Sequence, residues 1–516
     1  MRLRSLLLAA FALATLHASA QTEYERQGVR LLSRIPLNAF PGQPSSGSGC
    51  SGYTSPSGRE IAIMGLRNGN AVVDITNAAS PIQLAHIPGP VSSWHESVVL
   101  GDFSYAVTEG GGGMQIIDLR NVDNGQATLA GTYTGGGLNN VHTIQANPAT
   151  KHLYLNGSNL GFVVLDASSP TAPVQVGRWT TRYVHDSQIV SYTSGPYAGK
   201  EIGFLCCGGN GLYIVDLTNK ANIITLGFVK YIESGGYCHS GALTPDKKYF
   251  LVNDEFDEGN SITNACTTHI INVENLSQPQ YVGTFTNGVN SIDHNSHLRD
   301  GYLFLAAYRS GLRVYDASNP LAMKETGFFD TYPSGNGFSY DGNWAVYAGY
   351  PSGNVLLADI NRGMFVVDPS EAAGQGAPIT AVRNGDGQRT GSIVQLRKSD
   401  DDYVVLSQPT RNGVSFFIDS ETSFSPVVKL DVKLEGRGSG AVFVQLKNWT
   451  TGEFVQVSRW PLQETSDSVF SLTDLPAGPY VGPGGKIEAK IVGNFDNRRG
   501  SGNFKIDYFS VKAKRE

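Results

Sequence analysis

The chain has 516 residues, with 39 Lys and Arg against 45 Asp and Glu and a formal net charge of −6 at pH 7. No basic run occurs, which argues against nucleic acid as a partner, and beyond residue 20 no segment approaches the ~18 consecutive apolar residues of a membrane-spanning helix. Sixty-one Gly residues and a charged fraction of only 16% suit many short strands joined by tight turns.

In chain order, residues 1–20 read as a signal peptide: Arg2 and Arg4 form a charged start, Leu6 to Leu16 an apolar stretch, and Ala18-Ser19-Ala20 a small-residue cleavage site. The expectation is a protein that is secreted, extracellular or held at the cell surface. Without Arg2 and Arg4, 37 basic residues face 45 acidic ones, a net charge near −8.

A short phrase then recurs: Ala71-Val-Val-Asp74, Met114-Gln-Ile-Ile-Asp118, Phe162-Val-Val-Leu-Asp166, Leu212-Tyr-Ile-Val-Asp216, Leu312-Arg-Val-Tyr-Asp316 and Met364-Phe-Val-Val-Asp368, with a variant ending in Asn272. Copies lie 44 to 56 residues apart. A strand-rich repeat of about 40–50 residues predicts a β-propeller. Counting strands gives blades near 46–88, 92–134, 139–181, 183–232, 236–287 and 290–331, and a seventh over 335–369 with three strands. The segment Val29 to Pro36 resembles the outer strands and is expected to complete blade seven, closing the ring and removing its open edges. The propeller is thus expected over 21–372. The Asp ending each phrase sits in turn sequences such as Asp-Ala-Ser-Asn-Pro, where it accepts backbone N–H bonds.

After Pro369 the repeat stops. An Ala/Gly-rich linker, Ser370 to Pro378, leads to strands of another kind, among them Gly391 to Leu396, Val414 to Ile418, Val427 to Leu434 and Phe504 to Val511. Their spacing predicts a β-sandwich, a jelly roll, over 376–516. The expected fold class is therefore all-β: a seven-bladed β-propeller closed by the N-terminal strand, followed by a β-sandwich or jelly-roll domain. In the second domain Trp449, Phe454, Trp460 and Tyr480 offer either core packing or an aromatic face for sugars. Cys50, Cys206, Cys207, Cys238 and Cys266 allow one or two disulfides in an oxidising compartment, with no pairing fixed by sequence.

The repeat phrases resemble the LVIVD repeat, and residues 28–369 resemble the secreted choice-of-anchor B family. Gly65-Leu-Arg-Asn-Gly-Asn70, Ser92-Ser-Trp-His95, Tyr183-Val-His-Asp186, Val252-Asn-Asp-Glu255, Ile292-Asp-His-Asn295 and Tyr308-Arg-Ser-Gly-Leu312 carry the likeness. The resemblance implies a surface or extracellular protein with a variable C-terminal module and no established enzyme activity. Residues 376–516, with Ser399 to Tyr403 and Asn448 to Gly452, are similar to accessory jelly-roll domains of secreted bacterial proteins.

Five of the ten histidines recur at one point of successive units, opening the innermost strand: His95, His142, His185, His239 and His294. They are expected to converge at one end of the channel, with Glu96, Asp186 and Asp293 beside them. Two readings follow. Imidazoles and carboxylates form a ligand or metal site, taking a divalent ion such as Zn²⁺ that activates water; or one His per blade satisfies the neighbouring strand. The spacing lacks a compact motif such as His-Glu-x-x-His, and five rings need not reach one ion at ~2.1 Å. His86, His152, His269 and His297 lie off this register and read as surface or packing residues. The run Asn253 to Asn260 holds Asp254, Glu255, Asp257 and Glu258. It reads as a Ca²⁺ site or, as charge runs usually do, as a solvated loop. Arg67, Arg309 and Arg313 could bind an anion or pair with carboxylates. No Gly-x-Ser-x-Gly elbow occurs. The expected function is a monomeric binding or adhesion scaffold for an extracellular protein or glycan, presenting a His-rich channel mouth. The alternative is a metal-dependent hydrolase or lyase.

Overall fold

The computed structural model describes residues 24–373 without a break, then 375–376, 379–386, 388–390, 404–407, 414–421, 427, 429–438, 440–463, 467–494 and 504–514. The expected signal peptide, the strand at Gly391 to Leu396 and the Ser399–Tyr403 segment lie outside the described residues. Two compact units divide near residue 373. Among the described residues no helix is long and apolar enough to cross a membrane.

The first unit consists of seven four-stranded antiparallel sheets, built from residues 47–88, 95–133, 143–179, 186–229, 238–286, 296–329, and 343–368 joined by Arg30–Ile35. The innermost strands neighbour one another in sequence order. The last, Asn343–Tyr347, returns to the first, Gly47–Thr54, so the blades close around a channel. Middle strands such as Glu60–Leu66 are buried throughout, whereas outer strands such as Val174–Trp179 are half open. This is why the middle strands are continuous apolar runs rather than alternating ones.

Arg30–Ile35 lies antiparallel to Gly363–Asp368, from Arg30 opposite Asp368 to Ile35 opposite Met364. The N-terminal strand therefore completes blade seven. Val29 is buried there, and the Tyr24 ring sits 5.4 Å from both Phe329 and Phe365. Sequence reasoning did not foresee that Arg26–Gln27 adds a fifth strand to blade six.

The repeated Asp is a turn residue in every blade. Asp74, Asp118, Asp166, Asp216, Asp316 and Asp368 each accept the backbone N–H two residues on at 2.8–3.0 Å, and Asn272 does the same at 3.0 Å. All seven blades also carry a bulge between third and fourth strands. The bulge bends the outer strand toward the next blade. A Cβ on Gly177 would stand 2.3 Å from the Lys220 carbonyl, and one on Gly227 2.5 Å from that of Leu276. At these two positions glycine is required, because the outer strand meets the next blade's turn there.

All five cysteines are free thiols, contrary to the expected disulfides. Cys206 lies near Cys238, and burial, then that contact, push its thiol well above the ordinary value.

The second unit contains two antiparallel sheets. One holds Gln388–Thr390, Val404–Ser407, Phe504–Lys514, Lys429–Arg437 and Ser468–Pro476, with Gln375–Gly376; the other holds Ile379–Asn384, Val414–Glu421, Lys486–Asn494, Gly440–Lys447 and Phe454–Leu462. Alternate residues of Lys429–Arg437 are buried, and Val432 and Phe509 of one sheet share a core with Phe416 and Ile491 of the other. The four aromatic candidates make separate contacts. Trp460 stacks on Phe470 at 5.2 Å, Phe454 packs on Phe417 at 5.4 Å, Lys447 lies 4.2 Å over Trp449, and Tyr480 packs on the core.

Candidate functional site

Strand pairing defines one position per blade at the channel mouth. Counted from the repeated Asp or Asn, it is held by Ser48, His95, His142, His185, His239, His294 and Trp344. Four imidazoles and the indole follow one another around the ring. Centroids are 4.2 Å apart for His142–His185, 4.1 Å for His185–His239, 4.2 Å for His239–His294 and 4.7 Å for His294–Trp344.

His95 holds the same register but leaves the row. Its Nε2 lies 3.0 Å from the Pro90 carbonyl, and the ring borders a separate cavity with Asn70 and Gln115. The expected five-membered cluster is thus a row of four closed by a tryptophan. In blade one the position is Ser48, which is buried and exchanges hydrogen bonds with the His95 backbone at 3.1 Å.

Backbone contacts fix the tautomers. His185 Nδ1 is 3.0 Å from the His239 carbonyl, and His294 Nδ1 is 2.6 Å from the Trp344 carbonyl. A carbonyl only accepts, so each Nδ1 carries the proton and each Nε2 keeps a lone pair. Burial drives His185 and His239 well below the usual histidine value and His294 down to about 3, so these rings are neutral. The His294 carbonyl raises the His239 pKa, yet His239 Nδ1 makes no hydrogen bond of good geometry, and that carbonyl takes the Ser240 hydroxyl at 2.6 Å.

Glu255 faces this row. Its Oε2 lies 3.7 Å from His239 Nε2 and its Oε1 3.6 Å from His294 Nε2, while the Tyr308 hydroxyl donates to Oε1 at 2.7 Å. The His294 Nε2 lone pair thus faces the Glu255 carboxyl group. Burial pushes Glu255 up to about 7, partly offset by the bond from Tyr308. One ligand atom from each of His185, His239 and Glu255 lies within 4.8 Å of the others. Ligands of a tetrahedral zinc at ~2.1 Å stand about 3.4 Å apart, and within this group His239 Nε2 and Glu255 Oε2, at 3.7 Å, are near that value. At the other end of the row, His142 Nδ1 bonds Glu109 Oε1 at 2.7 Å, and this bond, above all, lowers the Glu109 pKa.

Above the row lies a cavity of about 640 Å³, which also meets Trp94, Tyr183, Tyr237, Phe256 and Tyr340. Trp94, Tyr183, Phe256 and Tyr340 are exposed large apolar side chains. Sequence reasoning missed this rim, Trp344 and the role of Glu255. The register of Trp344, one blade after His294, was the available signal.

The other sequence candidates lie elsewhere. Glu96 and Asp186 line a second cavity of about 400 Å³ within the ring, and Glu96 accepts from Trp344 Nε1 at 2.7 Å. Asp293 is buried away from the mouth cavity and accepts from Asn253 at 2.9 Å. The acidic run is not a solvated loop: Asp254 and Asp257 are 0% exposed and Glu258 1%. Nor do its four acids form one site. Asp254 is held by the Tyr231 hydroxyl and the Tyr237 N–H, Glu255 joins the histidines, and Asp257 and Glu258 turn toward Asp293. His269, expected at the surface or in packing, is buried 2.8 Å from Asp257. Arg309 pairs with Asp341 at 3.0 Å, Arg313 with Glu325 at 3.1 Å, and Arg67 donates to Ser93 at 2.8 Å.

Comparison with known proteins agrees with the repeat reading. The LVIVD repeat matches residues 151–181, 203–230 and 297–331. No curated protein sequence matches the chain. Among solved structures, the chain is similar to the extracellular domain of the putative hybrid two component system BT4673 from B. thetaiotaomicron, with 13% identity and a TM-score of 0.46 over 77% of this chain and 47% of that one. It is also similar to the extracellular domain described as the putative one component system BT4673 from the same organism, with 12% identity and a TM-score of 0.43 over 88% of this chain and 57% of that one. The chain thus spans about half the length of the structures it matches.

Proposed function

We propose that this protein is a secreted or cell-surface binding module whose propeller takes part of an extracellular protein or glycan into the channel mouth. The observation that carries the reading is the aromatic rim over a buried floor of imidazoles. Exposed Trp94, Tyr183, Phe256 and Tyr340 surround a cavity of about 640 Å³, with Glu109 and Glu255 as polar anchors. Contiguous exposed apolar surface around a concave polar floor is the usual form of a recognition site. The space suits one or two sugar rings or a peptide side chain. Residues 376–516 are read as a jelly-roll accessory module, and the ring as a choice-of-anchor B type propeller. A glycan array probed with the full chain and with Trp94→Ala and Tyr183→Ala tests the reading. Specific binding lost in both variants supports it. Binding that survives both removes the mouth as the site.

A second reading is metal-dependent hydrolysis or elimination at the same mouth. Its support is the meeting of His185, His239 and Glu255, with His294 Nε2 3.6 Å from Glu255. Metal analysis of chelator-free protein tests it. One equivalent of zinc, absent from His185→Ala and His239→Ala, favours the metal centre; no transition metal in the wild type refutes it.

A further inference from the structure

Asp257, Glu258 and Asp293 form a second cluster apart from the mouth cavity. Asp257 and Glu258 belong to the long connection between Tyr249–Asp254 and Thr267–Asn272 of blade five, and Asp293 precedes the inner strand of blade six. Their exposures are 0%, 1% and 0%. Each carboxylate has one oxygen engaged: Asp257 Oδ2 with His269 Nε2 at 2.8 Å, Glu258 Oε1 with the Thr267 N–H at 3.0 Å, and Asp293 Oδ2 with Asn253 Nδ2 at 2.9 Å. In each, the other oxygen has no partner: Asp257 Oδ1, Glu258 Oε2 and Asp293 Oδ1 are all buried and unbonded. Among the described residues no Lys or Arg forms an ion pair with any of the three. One ligand oxygen from each lies within 4.8 Å of the other two.

Three orphaned carboxylate oxygens sealed from water are an unfavourable arrangement unless they take up protons or a positive charge sits among them. We infer that Asp257, Glu258 and Asp293 bind a hard divalent cation, Ca²⁺, that fastens the 255–266 connection to blade six. Oxygen-only donors select Ca²⁺ over zinc or copper. Oxygens bound to one Ca²⁺ at 2.3–2.6 Å lie at most about 4.6–5.2 Å apart, and the three ligand oxygens fall within that limit. The connection it fastens also carries Glu255 and Phe256 to the mouth cavity, but the cation site stands whether or not the mouth binds a ligand.

The test uses the full chain stripped with EDTA and passed over chelating resin. Equilibrium dialysis with ⁴⁵Ca²⁺ is expected to show one saturable site, and millimolar CaCl₂ to raise the melting temperature by about 3–6 °C. Asp293→Asn and Glu258→Gln are expected to abolish both effects, and His239→Ala to keep them. A wild type that binds no Ca²⁺ overturns the inference even where the variants fail to fold. So does Ca²⁺ binding unchanged in folded Asp293→Asn and Glu258→Gln, or a response abolished by His239→Ala alone.

Discussion

Replacing Lys220 by Met isolates the buried charge that joins blades three and four. Glu201 opens the second strand of blade four and is 5% exposed; Lys220, in the turn after the third strand, is 12% exposed. Glu201 accepts from Lys220 Nζ, from the Tyr154 hydroxyl, from Asn147 Nδ2 at 2.8 Å and from Thr150 Oγ1 at 3.0 Å. Burial alone would raise the Glu201 pKa, but Lys220, Tyr154 and Asn147 together bring it below the ordinary value. The folded state therefore gains stability above the usual carboxylate range and loses it as pH falls through the lowered value. Met removes the cation and leaves a buried carboxylate behind, a change that costs about 3–5 kcal/mol at pH 7. At pH 4 the orphaned carboxyl takes a proton, and the cost should shrink to about 1–2 kcal/mol, the scale of one lost hydrogen bond and its packing. Lys220→Met with Glu201→Gln should recover much of the loss at pH 7. Urea unfolding followed by circular dichroism, fitted with one transition per unit, measures all three. A Lys220→Met protein within 1 kcal/mol of wild type at pH 7, or a cost that does not change with pH, would refute the reasoning.

Gly227→Ala should destabilise the ring by about 1–3 kcal/mol, because a Cβ 2.5 Å from the Leu276 carbonyl forces the outer strand of blade four off the next turn; thermal unfolding equal to wild type would contradict the close approach. Tyr24→Ala should cost about 3–5 kcal/mol through loss of the ring held by Phe329 and Phe365, and Tyr24→Phe much less, since it removes only the hydroxyl that accepts from Arg34 at 2.9 Å. Equal denaturation midpoints for the two variants would count against the N-terminal seam. Glu96 is pushed up to about 7 by burial, partly offset by the Trp344 indole. Its contribution is full below the ordinary glutamate value and lost as pH rises through 7, by an amount of order 1–2 kcal/mol once channel water is allowed for. Glu96→Gln should flatten that part of the stability–pH curve, and an unchanged slope would show that Glu96 is not the titrating group.

The ring was legible because its signals are local and repeated. The phrase ending in Asp74, Asp118 or Asp216 carries both a middle strand and its turn, so seven occurrences fix seven blades. Val29 to Pro36 could be assigned to blade seven because it matched an outer strand and one was missing. The mouth was harder. Equal register places His95 with His185, but only the packing around Pro90 turns its ring away. In blade seven, where the histidine pattern breaks, the sequence pointed to the neighbourhood of Asn336, but the strand register puts Trp344 at the equivalent place. The acidic run shows the limit most clearly. Four carboxylates within five residues look solvated in one dimension; the chain instead sends Glu255 to one site and Asp257 and Glu258 to another, beside an aspartate on the next blade. Burial of that kind is decided by neighbours distant in sequence, and nothing in the run itself announces them.

The seam at blade seven also dictates a timetable. Arg30 and Asp368 are 338 positions apart, so the strand Arg30–Ile35 must wait, unpaired, for nearly the last strand of its unit. Joining ends over that span costs only about 1.7 kcal/mol more than over 50 residues, a small thermodynamic toll. The larger consequence is kinetic. An incomplete chain exposes two complementary strand edges, whereas the finished one is latched, and neither terminus of the ring can peel away without first undoing the other.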